Sequence, residues 1–234
     1  MRSNRLNTNT ERASRIVEPT PQFGKPAWLP GLALAAIALG AFVELAGDVR
    51  IGEGFAFDQA VMGAMHHLAS PWLTAVMRLI TDSGSAPVII ALSLGLGVSW
   101  RRRAGGRAEI SVLFATLVGS AALGQTLKAI FARPRPHFFL WLTSAGGWSF
   151  PSGHTLTAVI LGGLLAWLVG QRLSGWQRVV LWTGAALWAG LVGLSRVYLG
   201  VHYPSDVLAS LAVGSLCLLV ALYVYRMNVS QPAT

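Results

Sequence analysis

Six stretches of the chain carry no charged side chain: 26–43, 83–100, 110–127, 155–171, 179–195 and 207–225. Each is close to the ~20 residues that a helix rising ~1.5 Å per residue needs to cross a bilayer core. Flanking residues can extend each run, so the pattern predicts six transmembrane helices. Between the first two runs the pattern changes. Over 48–82, Asp48, Arg50, Glu53, Asp58, Arg78 and Asp82 alternate with Phe55, Phe57, Met62, Met65, Leu68, Trp72 and Met77. Within that segment, 57–69 and 71–81 read as amphipathic helices lying at the membrane interface. Residues 1–25 are polar, with Arg2, Arg5, Arg12, Arg15 and Lys25, and Pro19, Pro21 and Pro26 oppose a helix. They read as a disordered cytoplasmic tail rather than a signal peptide, because the run that follows is long enough to span. The expectation is an all-α integral membrane bundle of six transmembrane helices with periplasmic-side interfacial helices. Its domain runs over 26–226, followed by a short C-terminal tail at 227–234.

Composition agrees with a membrane protein: the chain is 53% hydrophobic and only 12% charged, with a mean hydropathy of +0.56. The 18 basic residues against 9 acidic give a net charge of +9. That surplus sits in short clusters between apolar runs, which fits the positive-inside rule and not nucleic-acid binding. The N-terminal tail, Arg101, Arg102, Arg103 and Arg107, Arg172 and Arg178, and Arg226 fall on one side, read as the cytoplasm. Both termini are then cytoplasmic. Arg50, Arg78, Lys128, Arg133, Arg135 and Arg196 fall on the other side. The single cysteine, Cys217, lies in an apolar run and reads as a small buried hydrophobe. His66 and His67 point to different helix faces, which argues against a paired metal site. Small-residue pairs such as Ala36 with Gly40 and Ala186 with Gly190 would allow close helix contacts inside the bundle.

Three short stretches put ionisable groups at the edges of these apolar runs. They are Lys128 to Pro136, then Pro151-Ser152-Gly153-His154, then Ser195-Arg196 with His202 and Asp206. The first closes the third span and the second opens the fourth. The third joins the fifth span to the sixth, so with six spans parity puts all three at one membrane face. Ionisable groups at that depth are functional candidates. Pro134 and Pro136 break the third helix, so the chain can fold back and aim Lys128 and Arg135 at one point. Both suit phosphate oxygens, Arg as a planar fork and Lys as a point charge. Arg133, close by, reads as a headgroup contact. Ser152 suits a helix N-cap, Gly153 permits close approach, and the first-turn N–H groups make an anion site. His154 lies beside that anion site as a proton donor. Arg196 adds a third cation. Pro204 suits a first helical position. Asp206, in that first turn, can reach back to His202, fix its tautomer and leave its other nitrogen basic. His202 is thus the candidate nucleophile and Asp206 its orienter.

The pattern Lys-x6-Arg-Pro, Pro-Ser-Gly-His and Ser-Arg-x5-His-x3-Asp resembles the signature of the type 2 phosphatidic acid phosphatase and vanadium haloperoxidase superfamily. All three parts match at their spacings over about 80 residues, from Lys128 to Asp206. The resemblance implies a phosphohydrolase that uses no metal and no cofactor and works through a phosphohistidine intermediate. In that scheme His202 attacks phosphorus, Asp206 supports it, and His154 protonates the leaving oxygen. Lys128, Arg135 and Arg196, with Ser152 and the Gly153 amide, hold the phosphoryl oxygens.

The pocket is expected on the periplasmic, outer face of the cell membrane. The 137–150 loop there carries Phe138, Phe139, Trp141, Trp148 and Phe150, which suits a lipid substrate or an interfacial belt. The partner expected is therefore a membrane lipid phosphate: undecaprenyl diphosphate, phosphatidylglycerol phosphate or phosphatidic acid, the first preferred by family analogy alone. Two other readings stand beside this one. A haloperoxidase-like oxidoreductase would hold vanadate in the same pocket, but the hydrophobic chain speaks against it. A non-catalytic lipid-binding or transport protein would not need His154, His202 and Asp206 together.

Overall fold

The computed structural model describes residues 29–51, 56–101 and 106–229. The predicted tail at 1–25, the cations Arg102 and Arg103, and Glu53 and Phe55 lie outside the described residues. Eight helices are present among the described residues, and no strand. They are α1 (Leu29–Ile51), α2 (Ala56–His67), α3 (Pro71–Ser83), α4 (Ala86–Arg101), α5 (Gly106–Phe131), α6 (Gly153–Gly170), α7 (Gly175–Tyr198) and α8 (Pro204–Val229). Residues from Leu34 onward make one compact unit, and of Met1–Ala33 only the opening of α1 is described.

Helices α1, α5, α6, α7 and α8 are each long and apolar enough to cross a bilayer. The second crossing differs from the expected single run. Helix α4 has 16 residues, a rise of roughly 24 Å, which falls short of a ~30 Å hydrocarbon core. It meets the length and apolarity of a span only together with α3, to which it is joined at a 46° bend. The stretch 71–81 is therefore not simply an interfacial helix. It packs along α7 and contributes side chains to the interior described below.

Helix α6 is the centre of the bundle and packs against α5, α7 and α8. Leu156, Ile160, Leu161 and Leu164 on α6 are fully buried, with Leu113 of α5 and Val213 of α8 in the same cluster. Exposed apolar side chains lie on the outer helices, such as Leu39 and Val43 of α1 and Val179, Val180 and Leu187 of α7. Such a surface suits acyl chains and would be a liability in water. The expected small-residue pairs are not where the helices meet, since a side chain at Gly40 or Gly190 would meet open space. The close approaches are elsewhere. A Cβ at Gly163 would collide with Leu218, and one at Gly193 would lie 2.5 Å from Val207 and 3.3 Å from Thr155. Cys217 is half-buried beside the main core cluster.

Helix ends bring the three polar stretches together. Helix α5 stops at Phe131, where Ala132 takes a φ of 41° and Pro134 and Pro136 forbid continuation. Helix α7 ends at Tyr198, and Gly200 at φ 78° reverses the chain. Two residues later comes His202, and Pro204 then starts α8. The connection between α5 and α6 is pinned back onto α7 by Leu142 N–H donating to Leu199 O at 3.0 Å. From α3, Arg78 donates to Leu142 O at 2.9 and 2.6 Å.

Candidate active site

A cavity of about 410 Å³ opens where the C-terminal ends of α5 and α7 face the start of α6. Lys128, Arg135, Gly153, His154, Arg196 and His202 all line it, together with Gln125 and Trp148. Ser152 and Asp206 are fully buried behind this wall. Ser152 occupies the N-cap position of α6 but makes no side-chain cap bond. Its hydroxyl instead accepts a hydrogen bond from Thr155 Oγ1 at 3.0 Å, and its N–H donates to Asp206 O at 3.3 Å. It braces the first turn of α6 from behind. Gly153 opens that turn on the cavity side, and a side chain there would meet open space.

The histidine–carboxylate pair is closely defined. His202 Nδ1 lies 3.1 Å from Asp206 Oδ2, which also accepts the Tyr203 N–H at 3.0 Å. A carboxylate accepts only, so Nδ1 carries the proton and Nε2 keeps its lone pair. Arg135 Nη1 stands 3.1 Å from that Nε2. Burial pushes the His202 pKa down to about 4, against the opposing hydrogen bond and charge of Asp206. The ring is therefore neutral at ordinary pH, the form a nucleophile needs.

Backbone carbonyls hold Lys128 and Arg135, most of them from the α5–α6 connection and one, Val201 O, from the connection between α7 and α8. Arg135 donates to Gly147 O at 3.0 Å, Gly146 O at 2.7 Å and Val201 O at 2.7 Å. Burial also pulls its pKa below the usual guanidinium value, partly offset by Asp206. Lys128 Nζ donates to Trp148 O at 2.5 Å. Arg196 is 4% exposed, and its Nη1 donates to Thr81 Oγ1 at 2.9 Å. Its Nε is buried with no hydrogen-bond partner among the described residues. An unmet charged donor beside two further cations suits an anionic oxygen.

Two expectations need correction. Arg133 is not a headgroup contact. It is 11% exposed and turned inward, where Nη1 pairs with Asp206 Oδ1 at 2.6 Å and Nη2 with Asp58 Oδ2 at 3.0 Å. The prolines at 134 and 136 reverse the chain and direct neighbouring arginines to opposite sides of His202, which residue type alone does not reveal. Phe150 is not part of an aromatic rim either. It is fully buried with Phe42 and Phe131 around it, whereas Phe138, Trp141 and Trp148 stay exposed. His66 and His67 are exposed, and His66 stacks on Phe139 at 4.0 Å.

Sequence reasoning missed Asp58, Thr81, Gln125 and Ser205. Asp58 and Thr81 reach the site from α2 and α3 across more than 100 residues of chain, and no local spacing marks them. Ser205 sits inside the third stretch, so its position was visible while its partners were not.

These features define a helical, multi-pass membrane protein whose buried histidine–carboxylate pair faces a cation-lined pocket. The family model that matches residues 109–230 is the PAP2 superfamily, and the chain belongs to it. The chain is 31% identical over 179 residues to phosphatidylglycerophosphatase B of Bacillus subtilis, covering 75% of this chain and 86% of that protein. It is also 31% identical over 161 residues to the undecaprenyl-diphosphatase BcrC of Bacillus subtilis, covering 66% and 75%. Among solved structures, the transmembrane PAP2-type phosphatidylglycerolphosphate phosphatase of Bacillus subtilis matches with a TM-score of 0.75 at 26% identity. That match covers 86% of this chain and 98% of the other.

Proposed function

We propose that this protein hydrolyses the phosphoester or diphosphate bond of a membrane lipid phosphate, through a phosphohistidine on His202. The observation that carries the reading is His202 lining one cavity with Lys128, Arg135 and Arg196 while Asp206 holds Nδ1 at 3.1 Å. The PAP2 relatives named above, which act on lipid phosphates, support the substrate class.

In the first step the Nε2 lone pair forms a bond to phosphorus while the bond from phosphorus to the leaving oxygen breaks. His154 gives that oxygen its proton. In the second step water attacks phosphorus, His154 takes the water's proton, and the P–N bond breaks to release phosphate and free His202. Charge on the equatorial oxygens is met by Lys128, Arg135, Arg196 and the Gly153 N–H at the start of α6. Phosphoryl transfer needs mainly positioning and charge stabilisation, so three cations can do the work often given to a metal ion. Asp206 and Ser152 act from behind the wall, one on the His202 ring and the other on the first turn of α6.

The pocket lies on the outer face of the membrane and both termini lie inside. Arg101, Arg107, Arg178 and Arg226 fall at the helix ends opposite the pocket, which supports this orientation through the positive-inside rule. The exposed Phe138, Trp141 and Trp148 beside the pocket suit a substrate presented from the lipid surface.

The test is phosphate release from phosphatidic acid, phosphatidylglycerol phosphate and undecaprenyl diphosphate by purified protein in EDTA. Release persists in EDTA for at least one of them, and His202→Ala lowers it by roughly 10³-fold or more. Wild-type release by His202→Ala contradicts the nucleophile, and loss of release in EDTA contradicts the metal-free step.

A further inference from the structure

We infer that Asp58 and Arg133 are positioning residues of this reaction: together they set the orientation and net charge of the Asp206 carboxylate, and through it the ring of His202. The inference rests on the phosphohistidine reading above and extends it to α2, outside all three polar stretches.

The geometry is a continuous buried chain. Asp206 spends both oxygens on it: Oδ2 accepts from His202 Nδ1 and the Tyr203 N–H, and Oδ1 accepts from Arg133 Nη1 at 2.6 Å. The other end of the Arg133 fork reaches Asp58 Oδ2 at 3.0 Å, and its guanidinium lies 3.9 Å from the centre of the Tyr203 ring. Ser205 closes the network. Its hydroxyl donates to Asp58 Oδ2 at 2.6 Å and accepts from Arg133 Nη1 at 2.8 Å, while its N–H donates to Asp58 Oδ1 at 2.8 Å. Asp58 and Asp206 are 2% and 0% exposed.

Charge explains why two carboxylates are needed. Arg133 paired with Asp206 alone would largely cancel the carboxylate that faces His202. When phosphorus bonds to Nε2 the ring gains positive charge, and a cancelled carboxylate would stabilise it little. Asp58 restores one net negative charge to the trio while Arg133 still fixes the direction of Asp206. A strut that only tied α2 to α8 would not need charge, since buried ion pairs seldom stabilise more than apolar packing of equal volume.

The test compares Asp58→Asn, Arg133→Lys and the double variant with wild type, using short-chain phosphatidic acid in detergent micelles, alongside thermal unfolding. Each single variant lowers kcat about 10-fold or more, the scale usual for partners that orient a first ligand or base. KM stays within about twofold, as expected when an interaction acts in the transition state. The double variant falls no further than the worse single one, because the two act as a unit. Wild-type kcat with a lowered unfolding temperature overturns the inference in favour of a strut. A raised KM at unchanged kcat, or losses that multiply in the double variant, overturns it too. If Asp58→Asn does not fold, Arg133→Lys decides, since it keeps charge and bulk but cannot span two carboxylates. An independent readout is the Nδ1 proton resonance of His202 in protein with isotope-labelled histidine: it moves in Arg133→Lys, and an unchanged resonance overturns the coupling. This signal does not depend on turnover. A wild-type protein that releases no phosphate would therefore sink the proposed function and leave the coupling separately testable.

Discussion

At the scale of single residues, the site divides its charges by depth. Lys128, Arg135 and Arg196 face the cavity, while the carboxylates Asp58 and Asp206 stay behind the wall. His202 lies between the two layers, and its environment has a titration consequence. Burial disfavours the imidazolium and outweighs the pull of Asp206, so the folded pKa of about 4 lies below the ordinary 6.5. Protonation then favours the unfolded chain, so this group's contribution is complete above about pH 6.5 and is lost as pH falls through 4. An NMR titration of isotope-labelled histidine should show His202 protonating near pH 4, and a midpoint near 6.5 would contradict its burial. The same direction predicts that acid inhibits hydrolysis once His202 takes a proton, which a pH–rate profile on the acid side would show.

At the scale of elements, the site depends on how closely α6, α7 and α8 approach. Gly193 on α7 faces Val207 on α8 and Thr155 on α6, one turn from the residues that frame the pocket. An added methyl group there meets side chains at 2.5 and 3.3 Å, so Gly193→Ala should cost about 1–3 kcal/mol through overpacking. Gly190→Ala, three residues earlier on the same helix, meets open space and should leave stability unchanged or slightly raised. Thermal unfolding of the two variants in detergent separates them; equal unfolding temperatures would contradict the packing described. This contrast also marks where sequence patterning runs out. Hydrophobic runs located the helices because a bilayer core demands length and apolarity. They could not say which small residue faces a neighbour, because in a Gly- and Ala-rich helix every face carries some. The broken α3–α4 crossing was half visible for the same reason: α4 is apolar, but α3 mixes Arg78 and Asp82 with its apolar face and reads as interfacial.

At the scale of the whole molecule, the first two stretches flank the α5–α6 connection, and the third meets them because α6 and α7 carry the chain away and back to the same end. That parity was legible from the chain alone, as were the cations and histidines lining the cavity, because lysine, arginine and histidine at the edge of apolar runs are conspicuous, whereas Gln125 and the placement of Ser152 behind the wall were not. Arg133 was misjudged because its direction depends on the chain reversal at Pro134 and Pro136. Asp58 was passed over because its partner Ser205 lies 147 residues away and nothing local distinguishes it from an interfacial acid. The central claim is that this assembly makes His202 Nε2 a nucleophile toward a lipid phosphoryl group. It is tested most directly by rapid acid-free denaturing quench of the protein during turnover of a lipid phosphate radiolabelled at its terminal phosphoryl group, followed by mapping of the label. The account predicts an acid-labile, base-stable label on His202 that is absent from His202→Ala. Label on another side chain, or turnover at the wild-type rate in His202→Ala, would contradict it.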